Sequence, residues 1–340
     1  MIIFRADGNQ TLGAGHVMRC LSIADALKSL GKDSLFVCAD FCVEKLIKER
    51  GYEVCVLETD YTSLEDELDI LFAQNVFKRA EGMVVDSYYV TDRYLKELSQ
   101  YKKVVYVDDY LSDFDVNGLI NYNVYADKKA YEEKYDIKKT RLILGPSYAP
   151  LRNEFVNTVP IFVKEKPENV LILTGGADPF HIALKMVKEI SGGKDSSLTY
   201  HFVVGAFSPD FEEIKTYENN KSIVIHHNVT DMKSLMCECD MAVSASGSTL
   251  YELCACGIPT INYTFADNQL MGAKAFSDLG IMKTAGDVRE NDNISKEILT
   301  AIDSLAAHPE ERRKMSEAAH RLVDGCGAER LAKELEELFK

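Results

Sequence analysis

Short apolar and β-branched runs alternate with amphipathic stretches from one end of the chain to the other. "MIIFRA" predicts a strand, and "AGHVMRCLSIADALKSLG" predicts a helix stopped by Gly31. "DSLFVCA", "YEVCVL", "GMVVDS" and "KVVYVDD" predict further strands, the last two separated by the helical "DRYLKELSQ". Strands this apolar, interleaved with helices, belong to a parallel sheet buried on both faces. The rhythm loosens between about Lys128 and Lys166, where "GPSYAPLRNEF" and "VKEKPEN" concentrate proline and charge. It restarts at "NVLILTGGADP" and continues through "YHFVVG", "SIVIHH", "DMAVSAS" and "IPTINY".

The pattern predicts an α/β protein of two Rossmann-like domains, residues 1–150 and 151–325, with a terminal helix over 326–340. Toward the end, Pro309 opens one helix, the chain breaks at Asp324–Gly327, and a second helix runs to the last residue. The length of 340 residues agrees, since it exceeds what one hydrophobic core usually supports.

Composition narrows the partners. The formal charge of −15 disfavours nucleic acid and anionic membranes, which need basic surfaces. A small phosphorylated ligand stays open, because backbone N–H groups at a helix N-terminus hold phosphate without a basic surface. No run approaches the roughly 20 apolar residues that span a bilayer. "MIIFRADGN" has an acidic residue where an export signal needs an apolar segment, so a cytoplasmic location without membrane insertion is expected. The nine cysteines are odd in number and scattered, which favours reduced thiols. The pairs Cys237/Cys239 and Cys254/Cys256 lack the CxxC spacing of ordinary zinc sites, so no structural metal is expected.

Three strand-to-helix junctions carry candidate chemistry, because ligands of open parallel sheets bind beyond the carboxyl ends of strands. The first is "RADGNQTLGAGHVMRC". Gly13 and Gly15 turn the backbone and His16 falls in the first turn of the helix, with Asp7 and Asn9 beside it. The helix dipole disfavours imidazolium there, so a neutral His16 able to accept a proton is expected; a helix-end or packed histidine is the structural alternative. A dinucleotide fingerprint would need a small residue where Met18 stands, which argues against a nicotinamide dehydrogenase.

The second junction, "ILTGGADP", has Gly175 and Gly176 after a strand, with Asp178-Pro179 expected to open the helix as N-cap and N1. In the third, "SASGSTLYELCACGIPTINY", Ser246, Gly247, Ser248 and Thr249 bring hydroxyls and amides to a helix mouth and Glu252 follows one turn in. Such donors suit a diphosphate, and a carboxylate one turn along suits ribose hydroxyls. Asn268 and Gln269 in "ADNQLMGAKAF" form another polar helix start after the next strand. A capped helix with a surface glutamate is the structural alternative.

Taken together, these segments resemble the UDP-2,4-diacetamido-2,4,6-trideoxy-β-L-altropyranose hydrolases of pseudaminic acid biosynthesis. "FRADGNQTLGAGHVMRCLSIADAL" is similar to that family's N-terminal pattern, R-x-D followed by G-x-G-H-x-x-R. "VVDSYYV", "YVDDY", "GPSYAPLRNEF", "ILTGGADP" and "VDGCGAERLA" follow in the family's order, although Cys326 stands where a basic residue is often found. "SGSTLYELCACGIPTI" is shared more widely with MurG-like glycosyltransferases. The resemblance implies the GT-B architecture, two Rossmann-like domains whose parallel sheets face a cleft. It implies hydrolysis of a UDP-sugar with inversion, without metal or other cofactor. His16 would be the general base, Tyr88 or its neighbour Tyr89 would lie near the sugar, and Asp7 and Asn9 would shape the pocket. Ser246, Gly247, Ser248, Thr249 and Glu252 would hold the diphosphate and ribose. An inverting glycosyltransferase, with an acceptor hydroxyl in place of water, is the competing enzyme, and a nucleotide-sugar sensor without a base is the non-enzymatic one.

Overall fold

Every residue of Ile2–Ala6 is buried in the computed structural model, which describes residues 1–9, 12–193, 197–205 and 208–340. This strand, β1, pairs in parallel with β2 (Ser34–Cys38) on one side and with β4 (Gly82–Asp86) on the other. A strand flanked on both edges and covered on both faces needs no polar side, hence its nearly unbroken apolar run. With β3 (Glu53–Val56), β5 (Lys103–Val107), β6 (Gly118–Asn121) and β7 (Arg141–Leu144) it makes a seven-stranded sheet in the order β3-β2-β1-β4-β5-β6-β7. The chain runs outward from β1 to β3 and then returns to the other side at β4. Between β1 and β4 the order reverses, and loops there diverge to leave room for a ligand.

The helix Gly15–Ser29 buries Val17, Cys20, Leu21, Ala24 and Leu27. It ends because Gly31 adopts φ +75°, so that Gly31 N–H reaches the Lys28 carbonyl and Lys32 N–H reaches that of Leu27, both at 3.0 Å. That pair of bonds satisfies two terminal carbonyls, and the left-handed residue it needs is most often glycine.

The second sheet repeats the plan. β8 (Asn169–Leu173), β9 (Thr199–Val204), β10 (Ile223–His227), β11 (Met241–Ala245), β12 (Thr260–Thr264) and β13 (Met282–Asp287) run in the order β10-β9-β8-β11-β12-β13, all parallel. Here the order reverses between β8 and β11. The chain divides into Met1–Asn153 with Gly325–Lys340 as one unit and Glu154–Asp324 as the other.

Three sequence expectations need correction. The terminal helix is not a separate piece. Gly327–Phe339 packs in the first unit, where Phe339 lies over Gly82, so close that a Cβ on that glycine would sit 2.2 Å from the ring. Arg141 Nε donates to Glu334 Oε2 at 2.8 Å and Lys103 Nζ to the Leu338 carbonyl at 2.8 Å. Second, the stretch after Lys128 contains β7, a four-residue strand too short and too exposed to show a period. Third, Asp178-Pro179 does not start a helix: the helix begins at Ile182, after a left-handed His181 with φ +57°. Asp178 is itself left-handed at φ +46°, and it caps from upstream, its carboxylate accepting Ile182 N–H at 2.9 Å and Ala183 N–H at 2.8 Å.

Candidate active site

In the first unit, the loop leaving β1 is held from below by an ion cluster. Arg5 is fully buried; it donates Nε and a terminal nitrogen to the two oxygens of Glu67, each at 2.7 Å, and also binds Asp7. Tyr94 Oη donates to Glu67 Oε1 at 2.6 Å. The other oxygen of Asp7 accepts Ala39 N–H at 2.7 Å. Both Asp7 oxygens are thus engaged in anchoring the loop. Asn9 closes the turn, its Oδ1 accepting Leu12 N–H and its carbonyl accepting Gly13 N–H, both at 2.8 Å. Gly13 takes φ +72°, whereas Gly15 has open space around it and opens the helix, which no side chain caps.

His16 is buried at that helix start, and its Nδ1 lies 2.5 Å from Oδ1 of Asp86, the last residue of β4. The switch point between β1 and β4 brings the two together. Arg19, one turn along the helix, donates Nε to Asp86 Oδ2 and a terminal nitrogen to Oδ1, each at 2.5 Å. It also donates to Tyr122 Oη at 3.0 Å and lies 3.5 Å from Asp109 Oδ2. Burial by itself would raise the pKa of Asp86, but Arg19 and then His16 outweigh it and hold the carboxyl well below its usual range. Asp86 is therefore ionised, and an ionised carboxylate only accepts. The proton in the short contact therefore sits on Nδ1 of His16, and Nε2 is the ring nitrogen that Asp86 leaves unengaged. Arg19 also passes 3.1 Å from Nδ1, but a guanidinium only donates, so its hydrogen goes to the carboxylate.

Tyr88 stands edge-on to His16, with ring centroids 4.6 Å apart, while Tyr89 pairs with Tyr61 at 5.6 Å. The tyrosine beside the histidine is Tyr88. Asp86 and Arg19 had no role in the sequence reading. The signals were present: Asp86 stands in "VVDSYYV" at the end of an apolar run, and Arg19 three positions after His16 on one helix face.

In the second unit, Leu173 of β8 lies opposite Ser244 of β11, so the turns after those strands share one sheet edge. Gly175 takes φ +83°, and the loop with Gly176 lies so close to Gly205 that a Cβ there would be 2.3 Å from the Gly176 carbonyl oxygen. The helix that follows is closed by Asp178. Ser246 points inward: its hydroxyl donates to the Tyr263 carbonyl at 2.8 Å and its N–H to the same oxygen at 2.9 Å. Gly247 and Ser248 are exposed and Thr249 is half-buried at the mouth of the helix Thr249–Cys256, which no side chain caps. Glu252 is half-buried one turn in. After β12, Asn268 is exposed, while Gln269 turns back so that its Oε1 accepts Phe265 N–H at 2.9 Å. The structure thus gathers His16, Tyr88, Asp7 and Asn9 at one sheet edge and the glycine, serine and Glu252 group at another. Among the described residues no group of three or more His, Cys, Asp or Glu is arranged to hold a metal ion, and no helix is long and apolar enough to cross a membrane.

Comparison with known proteins places this geometry. Residues 170–335, from β8 into the last helix, match the glycosyltransferase family 28 C-terminal domain. An uncharacterized protein of Methanocaldococcus jannaschii is 27% identical over 276 residues, covering 75% of this chain and 54% of that one, so the match spans about half that relative's length. The UDP-2,4-diacetamido-2,4,6-trideoxy-beta-L-altropyranose hydrolase of Campylobacter jejuni is 24% identical over 257 residues, 74% of this chain and 86% of that one. Among solved structures, MurG of Acinetobacter baumannii has a TM-score of 0.68 at 12% identity, with 99% of each chain covered. Two parallel α/β units with the strand orders given above, a likeness to the glycosyltransferase family 28 C-terminal domain over residues 170–335 and a MurG-like neighbour among solved structures give this chain the GT-B fold.

Proposed function

We propose that the protein hydrolyses a UDP-linked 2,4-diacetamido-2,4,6-trideoxy sugar to free sugar and UDP, with inversion at the anomeric carbon and without a metal ion. The observation that carries the reading is the Asp86–His16 contact of 2.5 Å, locked by Arg19. It sets one tautomer, and that tautomer presents a basic Nε2. Water gives its proton to Nε2 as its oxygen attacks the anomeric carbon. The bond from that carbon to the diphosphate oxygen breaks, and its electron pair leaves with UDP. The imidazolium formed is stabilised by the Asp86 carboxylate, which stays ionised throughout. Tyr88 limits the room beside the imidazole.

Diphosphate is a good leaving group, so its departure calls for charge stabilisation more than for protonation. Amides and hydroxyls at the mouth of the helix Thr249–Cys256 are suited to it, with Ser248 exposed and Thr249 half-buried there and Glu252 one turn in as the residue for ribose hydroxyls. Ser246 holds the turn through Tyr263, and Gly175 and Gly176 keep the neighbouring loop free of side chains. The Campylobacter jejuni relative's name supports the same substrate class.

The test is incubation with the UDP-diacetamido sugar, with chelator and no acceptor, followed by NMR. Release of free sugar as the inverted anomer is expected. A requirement for an acceptor alcohol would point to glycosyl transfer instead, and a strict metal requirement would overturn the mechanism.

A further inference from the structure

Three adjacent strands of the first unit, β4, β5 and β6, each deliver tyrosine beyond their carboxyl ends. Tyr88 follows β4, Tyr110 follows β5, and Tyr122 and Tyr125 follow β6. Their side chains converge. Tyr88 and Tyr110 have ring centroids 5.8 Å apart, and Tyr125 interacts electrostatically with Asp109, Tyr122, Tyr88 and Tyr110. Tyr88 in turn touches His16. Tyr110 is 55% exposed, a large aromatic surface in water beside a buried imidazole. Exposed aromatic surface next to a few fixed polar groups is the usual composition of a small-molecule site.

Charge restricts what the basin can receive. Its cation, Arg19, is engaged by Asp86, Tyr122 and Asp109, and Asp109 also accepts Asn123 Nδ2 at 2.6 Å. The carboxylates outnumber the guanidinium. Burial, and next Asp109, push the Tyr125 phenol up, so it keeps its proton and can donate. The surroundings are thus aromatic, hydroxylated and net negative, which opposes an anionic glycosyl group.

We propose that Tyr110 is a specificity-determining residue, whose ring extends Tyr88 into a wall for the methyl and C–H face of an uncharged, deoxygenated, N-acylated sugar, with the half-buried Tyr125 as its neighbour. This rests on reading the His16 edge as the glycosyl side of a nucleotide-sugar hydrolase. The wall favours the C6 methyl and acetamido methyl groups, which gain by leaving water against the rings, and opposes a carboxylated sugar beside the net negative charge.

Saturation-transfer NMR on the whole protein tests the wall with free sugars, so neither nucleotide binding nor turnover is needed. The probes are 2,4-diacetamido-2,4,6-trideoxy-L-altrose, N-acetylglucosamine and glucuronate. The first should show strong saturation at its methyl groups, the second weaker saturation, and the third none. Tyr110→Ala should weaken binding of the first sugar about two- to tenfold, the range of one aromatic contact, and Tyr110→Phe should restore it. Tyr125→Leu, which keeps volume in a half-buried position, should act in the same direction. Unchanged binding in Tyr110→Ala, or equal saturation of all three sugars, overturns the proposal. The hydrolase reading fails by a separate route: wild-type protein that binds the sugar through this wall yet releases none from its UDP derivative.

Discussion

Asp86 and Asp178 are both buried carboxylates at the carboxyl edge of a parallel sheet, one in each unit, and folding moves their acidities in opposite directions. Both lose water. Asp86 meets Arg19 and His16, whose positive charge outweighs burial and holds its proton affinity down. Asp178 meets backbone N–H groups of its own helix, which only partly offset burial, and its value rises. Burial alone does not set the state of a group; its partners do. The difference has a functional meaning. The first unit keeps a charged carboxylate fastened to a histidine, an arrangement for moving a proton. In the second unit Asp178 closes its own helix, and the neighbouring helix Thr249–Cys256 has no side-chain cap.

The largest expected effect falls on the histidine. His16→Asn should reduce turnover by about 10² to 10⁴-fold, the usual contribution of general-base assistance, with UDP affinity measured by calorimetry unchanged. Normal turnover in this variant would remove the histidine from the chemistry and leave the first unit without its distinguishing role.

Next comes its partner. Asp86→Asn removes the bidentate counter-charge of the buried Arg19 guanidinium and leaves it only Asp109 at 3.5 Å, a change that costs up to about 3–5 kcal/mol in comparable pairs. Denaturant unfolding would measure it. The pH signs differ between the two aspartates. Because the folded value of Asp86 lies below the unfolded one of about 3.9, its stabilisation is present above that pH and is lost as pH falls toward the folded value. Asp178 behaves oppositely: its folded value lies above the unfolded one, so its contribution strengthens as pH falls through that interval. Asp86→Asn should therefore flatten the acid-unfolding limb, and Asp178→Asn should steepen it.

The smaller effects separate the two helix mouths of the second unit. Asp178→Ala should destabilise by about 1–2 kcal/mol, the loss of a helix cap. Ser248→Ala, at an exposed position with no capping bond, should alter stability by less than about 0.5 kcal/mol. The same change should weaken UDP binding roughly tenfold if its hydroxyl meets phosphate. A reversal, with Ser248 needed for stability and Asp178 for UDP, would exchange the roles given to these two turns.

Much of this was legible along the chain because it depends on near neighbours. The strand and helix alternation, the stop at Gly31, the helix breaking at Asp324–Gly327 and the position of His16 at a helix start all follow from residues within one or two turns of each other. Even the expected cap at Asp178 had the right residue with the wrong geometry, since two left-handed residues, Asp178 and His181, delay the helix to Ile182. Nothing local announces that kind of backbone detour.

What only the tertiary structure decided is who meets whom. His16 and Asp86 are seventy positions apart, and they touch because β1 and β4 are neighbours where the strand order reverses. The terminal helix shows by its apolar face that it needs a partner, yet only packing against Gly82 and Ala149 places it in the first unit. Two adjacent tyrosines are chemically equal in sequence, and the fold turns Tyr88 to the imidazole and Tyr89 to Tyr61. Periodicity records which face of an element must be covered. The covering group is chosen by strand order, because the free energy of burial is gained equally wherever along the chain the partner comes from.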